Sequence, residues 1–189
     1  MARPRSDDKR NAILDAALRV FAERGTVNAP TSAISKAAGV AEGTLFTYFK
    51  TKDELMTELY LELRQEFSRH MGEFPYEADA RARLRYIWDK YLDLAALHPE
   101  RLKVLAQLRA SGKLFKDNEP QVLALVEALR AVSDAAKENE LRHMPPEYLM
   151  LMVRSQLEMT VEYINAHPEC AASCREKGFR IMWMGLTGN

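Results

Sequence analysis

Between Glu42 and Lys52 the chain lays out side chains suited to reading a nucleic acid. Thr44, Thr47 and Tyr48 fall at i, i+3 and i+4, with Lys50 and Lys52 directly behind them. Hydroxyls bond base edges or phosphates, a threonine methyl packs on thymine, and a lysine ammonium neutralises a phosphate. Gly43 has no side chain and lets the backbone come close to a phosphate. Arg3 and Arg5, flanking Pro4, form a basic arm fit for the backbone or the minor groove. Plainer roles stand beside these: Tyr48 packs in a core, and Lys50 and Lys52 lie on a solvated face. Thr31, upstream of this group, caps the helix it opens, touches DNA, or does both. Glu42 brings a carboxylate into the same stretch, where it serves the helix dipole or accepts from a cytosine amine.

The elements that must position these residues follow from the apolar spacing. Leu45 and Phe49 are four apart and share the face opposite the hydroxyls, so a very short helix from about Glu42 to Tyr48 buries them. A helix that short cannot persist alone in water. It exists docked on neighbours, with its polar side presented. A first helix ending near Gly25 offers Ile13, Leu14, Ala17, Leu18 and Phe21 as its inner stripe, with Ser6, Asp7 and Asp8 as its cap. A second runs from about Thr31 to Ala38, and Gly39 makes the turn. Thr51-Lys52-Asp53-Glu54 is a capping box opening a fourth, which continues to about His70. Turn, short presented helix and flanking lysines together predict a helix-turn-helix.

The head resembles that of TetR-type transcriptional regulators over roughly the first 55 residues, an extent read directly off the chain. The resemblance rests on Ile13-Leu14-Asp15-Ala16-Ala17, Phe21-Ala22-Glu23-Arg24-Gly25, Thr31, Ile34 and Ala38-Gly39-Val40. It continues through Gly43-Thr44-Leu45-Phe46, Tyr48-Phe49 and Lys52-Asp53-Glu54-Leu55. It implies DNA contacts from Thr31, Gly43, Thr44, Thr47, Tyr48 and Lys52, to which the spacing adds Lys50. It implies a homodimer on double-stranded operator DNA and a small hydrophobic or aromatic effector. The chain departs from the family at Phe46, where a tyrosine is usual. The head together with Tyr60 and Trp88 is also similar to multidrug-sensing repressors of the RamR kind.

Charge is distributed as such a protein requires. The whole chain is formally neutral, but residues 1–52 carry nine Lys and Arg against five Asp and Glu, and the rest carries the opposite excess. Phosphate contacts then come from one end. No apolar run reaches the length of a membrane span, and the charged N-terminus lacks a signal core, so a cytoplasmic location is expected. Cys170 and Cys174 read as reduced thiols, a redox role being left open. No nucleophile elbow, zinc-binding His-Glu-x-x-His helix or phosphate loop occurs, so no catalytic residue, metal or cofactor is expected.

Residues 53–189 are expected to form a larger helical body for ligand binding and dimerisation, behind the DNA-binding domain of residues 1–52. Trp88 lies with Leu84, Ile87, Tyr91 and Leu92 on one helix face, and prolines open later helices at Pro99, Pro120, Pro145-Pro146 and Pro168. Tyr60, Trp88, Tyr91 and Tyr163 supply aromatic walls with polar tips, and Gln156 orients a ligand. Six of the nine methionines lie between Met144 and Met184, a composition that repacks around varied shapes. The last two helices, with Leu149, Met152, Leu157, Phe179, Met182, Trp183 and Leu186, are the expected dimer face. The fold class is all-α, about nine helices. The function expected is a ligand-responsive regulator, most simply a repressor. A small-molecule binder without DNA function and an all-helical enzyme are the alternatives.

Overall fold

The computed structural model describes residues 4–110, 130 and 145–187. α1 (Pro4–Arg24), α2 (Thr31–Ala37), α3 (Glu42–Tyr48), α4 (Lys52–Met71), α5 (Ala80–Leu97) and α6 (Pro99–Ala110) follow in order. α7 (Pro146–Ala166), a 3-10 turn at Pro168–Cys170 and α8 (Ala171–Thr187) complete the described chain. Among the described residues the fold is all-helical. The helix expected from Pro120, with Val122, Leu125, Val126, Leu129 and Val132, lies outside the described residues, as do Arg3 and the side chain of Arg5. Two compact units emerge. One holds α1 to α3, α4 as far as Phe67, and α6; the other holds the end of α4 from Ser68, α5, α7 and α8.

In the first unit the predicted stripe of α1 is buried throughout, together with Ile34, Leu45, Phe49 and Leu55. α1 begins earlier than the acid cluster suggests. Proline's fixed φ suits a first turn, so Pro4 starts the helix and Asp7 falls inside the first turn instead of capping it. Gly39 takes φ +68, a left-handed value that a side chain disfavours, and so turns the chain from α2 toward α3. The capping box forms. Thr51 Oγ1 accepts from the Glu54 N–H at 3.0 Å, and Glu54 Oε2 reaches back to the Lys50 N–H at 2.7 Å.

α6 joins this unit through polar as well as apolar contacts. Lys103 Nζ donates to the Ala22 carbonyl at 2.8 Å, near the C-terminal end of α1, where carbonyls lack helical partners. Arg101 pairs with Glu66 of α4, and Arg10 of α1 pairs with Glu58 at 2.5 Å. Glu62 lies one turn from both of these glutamates. Burial first, then the Glu66 carboxylate, hold its carboxyl above the ordinary range, with Asp15 adding and Arg10 and Arg101 opposing. The folded chain therefore binds this proton more tightly than the unfolded chain, and stability falls as pH rises through the interval between the ordinary and the raised value. Glu62→Gln should raise the melting temperature at pH 7 by roughly 1–2 °C, the scale of half a kcal/mol in a chain of this size. Melting curves repeated near pH 4 should show that gain shrinking, since the wild-type carboxyl is then protonated in both states.

In the second unit α5 packs against α7 and α8, and Trp88 is the post between them. Its side chain is 0% exposed, its indole N–H donates to the Arg175 carbonyl at 3.0 Å, and Phe179 meets its ring edge-on at 6.1 Å. Gly178 makes this approach possible, because a Cβ there would stand 2.9 Å from Trp88 Cζ2. Around the rim Arg85 pairs with Asp89 and Glu176, and Arg175 with Asp89 and Asp93. These groups are partly solvated, so each pair adds little stability.

The expected dimer face needs correcting. Leu149, Leu157, Phe179, Met182 and Leu186 are buried within this unit, Trp183 is half-buried and only Met152 is exposed. A helix packed on two neighbours spends one apolar stripe inward, and here a second stripe remains. Tyr148, Leu151, Met152, Met159 and Tyr163 on α7 and Ile181 and Met184 on α8 are the exposed apolar residues. Replacing Gly178 by valine should lower stability by about 1–3 kcal/mol, because the enclosed Trp88 cannot retreat from the added methyls. Chemical denaturation followed by Trp fluorescence measures this.

Candidate nucleic-acid interface

α3 turns Leu45 fully inward, with Phe49 buried just beyond its end. The opposite side then carries Glu42, Gly43, Phe46 and Thr47 in solvent, with Thr44 and Tyr48 half-buried at its margins. Lys50 is exposed in the turn to α4. Thr47 Oγ1 donates to the Gly43 carbonyl at 2.9 Å. With that proton committed, the hydroxyl offers an incoming base only acceptor lone pairs, and the residue offers its methyl group.

Thr31 does not cap α2. Pro30 holds the cap position with no side-chain bond, and Thr31 Oγ1 instead donates across the turn to Glu42 Oε1 at 3.0 Å. The bond ties the first residue of α2 to the first residue of α3. Spacing rules gave no sign of it, since the partners are eleven residues apart and on different helices.

Lys52 is the second element of the site. Its ammonium donates to the Val27 carbonyl at 3.2 Å and stands 6.0 Å from the Phe21 ring centroid. Burial lowers its pKa, with Asp53 acting in the opposite sense. The charge is thus underhydrated, with two N–H donors beyond the one it gives to Val27. Lys52 and Thr31 share an open groove of about 520 Å³ with Val27, Asn28, Ala29, Pro30 and Phe46. Val27 is 86% exposed and Phe46 41% exposed, so the groove mixes apolar walls with one cation. Val27, Asn28 and Phe46 are additions to the predicted site; Val27, an exposed apolar residue in a loop, carries no periodic signal.

Residues 13–59 match the tetR family of bacterial regulatory proteins. The head is thus similar to the heads of that family over these residues. Over 85 residues the chain is 38% identical to the fatty acid metabolism regulator protein of Bacillus subtilis (strain 168), a match spanning 44% of each protein. A tetR family transcription regulator from Shewanella sp. PV-4 superposes with a TM-score of 0.74 at 26% identity, over 94% of this chain and 97% of that one. The transcriptional regulator FadR from Bacillus subtilis, solved in complex with stearoyl-CoA, has the same fold. Its TM-score is 0.66 at 19% identity, over 93% of this chain and 98% of that one. These relatives are transcriptional regulators and not enzymes. The likeness extends from the head through the body, and it does not single out the RamR-like kind.

The residues expected to line a ligand site divide between the two units. Tyr60, in the first, is buried and its hydroxyl accepts from Arg64 at 3.1 Å. In the second, Trp88 and Tyr91 are buried on α5, Gln156 is half-buried on α7, and Tyr163 is 50% exposed with its ring 4.6 Å from that of His167. Among the described residues no group of His, Cys, Asp and Glu is arranged to hold a metal ion, and no helix is long and apolar enough to cross a membrane. Cys170 and Cys174 are free thiols. Desolvation, then Glu169, push the Cys170 thiol up, away from the reactive thiolate.

Lys52→Ala should weaken binding to every duplex alike and reduce the slope of log affinity against log salt by about 1. Thr47→Val, which keeps a methyl but removes the acceptor, should leave that slope unchanged. Binding titrations at three salt concentrations separate the two.

Proposed function

We propose that the chain is a homodimeric repressor released from operator DNA by a small hydrophobic molecule, acting in the cytoplasm. One observation carries the DNA reading: a docked seven-residue helix whose outward side exposes Gly43, Phe46 and Thr47, next to a partly desolvated lysine. Thr31, Gly43, Thr44, Thr47, Tyr48, Lys50 and Lys52 form the proposed DNA-facing set, within residues 1–52 as the DNA-binding domain. The exposed stripe on α7 and α8 supports dimerisation, since a contiguous apolar face in water calls for a partner. In a two-fold dimer the two α3 helices enter successive major grooves, with half-site centres roughly 34–36 Å apart.

For the effector, two chemistries fit a body rich in Met and aromatic residues. The names of the fatty acid regulators support a long acyl chain. Trp88, Tyr91 and Tyr163, with Gln156 to orient a polar end, support the aromatic ligands of a RamR-like sensor. In either case α4, one unbroken helix from the capped start at Lys52 to Met71, is the proposed carrier of the signal. Ligand and operator then oppose each other, and linkage makes the opposition mutual, typically 1–3 kcal/mol of coupling.

The experiment is anisotropy of a labelled palindromic operator fragment, titrated with the chain, without effector and with stearoyl-CoA or a planar aromatic cation. One of the two should weaken binding by about 5- to 150-fold. Operator affinity unchanged by both would rule out induction by these chemistries. A strictly monomeric mass at micromolar concentration would overturn the dimer.

A further inference from the structure

A carboxylate on the face of a DNA-reading helix demands a reason, because it is repelled by the phosphates around it. Glu42 is fully solvent-facing and is the first residue of α3. It is not left free to swing away, since its Oε1 accepts the Thr31 hydroxyl proton at 3.0 Å. Two consequences follow. Thr31, having spent its only proton on Glu42, cannot donate to a phosphate, whose oxygens are acceptors only. Among the described residues Glu42 Oε2 has no hydrogen-bond donor, and it is an acceptor on a side chain already held in place.

Acceptors select donors. In the major groove the donors are the exocyclic amines of cytosine and adenine. Beside the adenine amine stands N7, a second acceptor, which a carboxylate meets as a repulsion. Beside the cytosine amine on its own base stands only C5–H. A carboxylate therefore favours cytosine, whereas an amide, with a donor to match N7, favours adenine. We propose that Glu42, held by Thr31, reads the N4 amine of one cytosine in each operator half-site. Glu42 is the specificity-determining group and Thr31 its positioning residue. The inference rests on the DNA-binding reading above and adds to it the identity of one base.

The test is selection from a randomised duplex library with the full-length chain, its Glu42→Gln, Glu42→Ala, Thr31→Val and Thr31→Ser variants, followed by sequencing. The wild type should enrich cytosine at one position per half-site by at least about fivefold, the lower end of what a good base contact discriminates. Glu42→Gln should replace that cytosine by adenine and leave the other positions alone. Glu42→Ala should level the four bases there. Thr31→Val should blunt the preference at that position only, and Thr31→Ser, which keeps the hydroxyl, should restore it. A Glu42→Gln variant that enriches the same bases as the wild type everywhere overturns the proposal, while the wild-type operator leaves the DNA reading standing. A wild type that enriches no recurrent sequence overturns the DNA reading and this inference with it. A Thr31→Val profile as sharp as the wild type removes Thr31 from its role.

Discussion

Seven residues of helix are too few to hold their shape in water, and the head is organised around that deficit. Ala41 holds the cap position of α3 without a side-chain bond, so the order of the helix is imposed from outside. Leu45 and Phe49, buried to within 1% of complete enclosure, fix its inner side in the core shared with Ile13, Phe21 and Ile34. Thr31 holds its first residue through Glu42, and the Thr51–Glu54 box orders the chain directly after its last. With both ends and one side committed, the remaining side is held rigid without using any of Gly43, Thr44 or Phe46 to do so. Rigidity matters because a side chain already in place loses less entropy when it meets a base.

The electrostatics follow the same arrangement. Lys52 is the first residue of α4, so the capping box that starts the helix also sets where its ammonium emerges. The Val27 carbonyl and the Phe21 ring bear on that ammonium from the protein side, and neither cancels a full charge. Burial lowers its affinity for its proton, which is the mark of a cation short of solvation. A phosphate entering the open groove supplies what is missing. Among the described residues Lys52 is the one cation of that groove, and Asn28 and Thr31 are the other polar side chains of its lining.

Much of this was legible in the sequence, and the rest was hidden for identifiable reasons. Periodicity found α3 at its observed bounds, because Leu45 and Phe49 sit four apart and no other pattern accommodates them. Local chemistry found the Thr51 cap, whose hydroxyl accepts from the Glu54 N–H at 3.0 Å. What escaped was whatever depends on two segments meeting. Thr31 is expected to cap α2, to touch DNA or to do both, and the partner of its hydroxyl, Glu42, lies on another helix. Leu149 and Phe179 were assigned to a dimer face because apolarity says that a residue is buried, not against what. Trp88 is expected as an aromatic wall, and its packing against Gly178 and Arg175 of α8 leaves no trace in the local pattern.

The place of α6 shows how far such meetings reach. By sequence it belongs with the body, after two helices that lead away from the head. In the structure it packs with α1, and its polar side chains grip the head at two points separated by long stretches of chain. Lys103 takes a carbonyl near the end of α1, 81 residues earlier, and Arg101 takes Glu66 of α4, 35 residues earlier. α4 is in turn bound to α1 through Arg10 and Glu58. The three helices therefore form a closed polar circuit around Glu62, a partly buried carboxylate whose proton affinity is raised by burial first and then by Glu66. Such a circuit does not yield at one link alone. Displacing α6 disturbs α1 and α4 together, and these are the two helices that hold the inner side of the core and the capped start beside Lys52. The residues proposed to face DNA are thus set by contacts well beyond the first 52 residues.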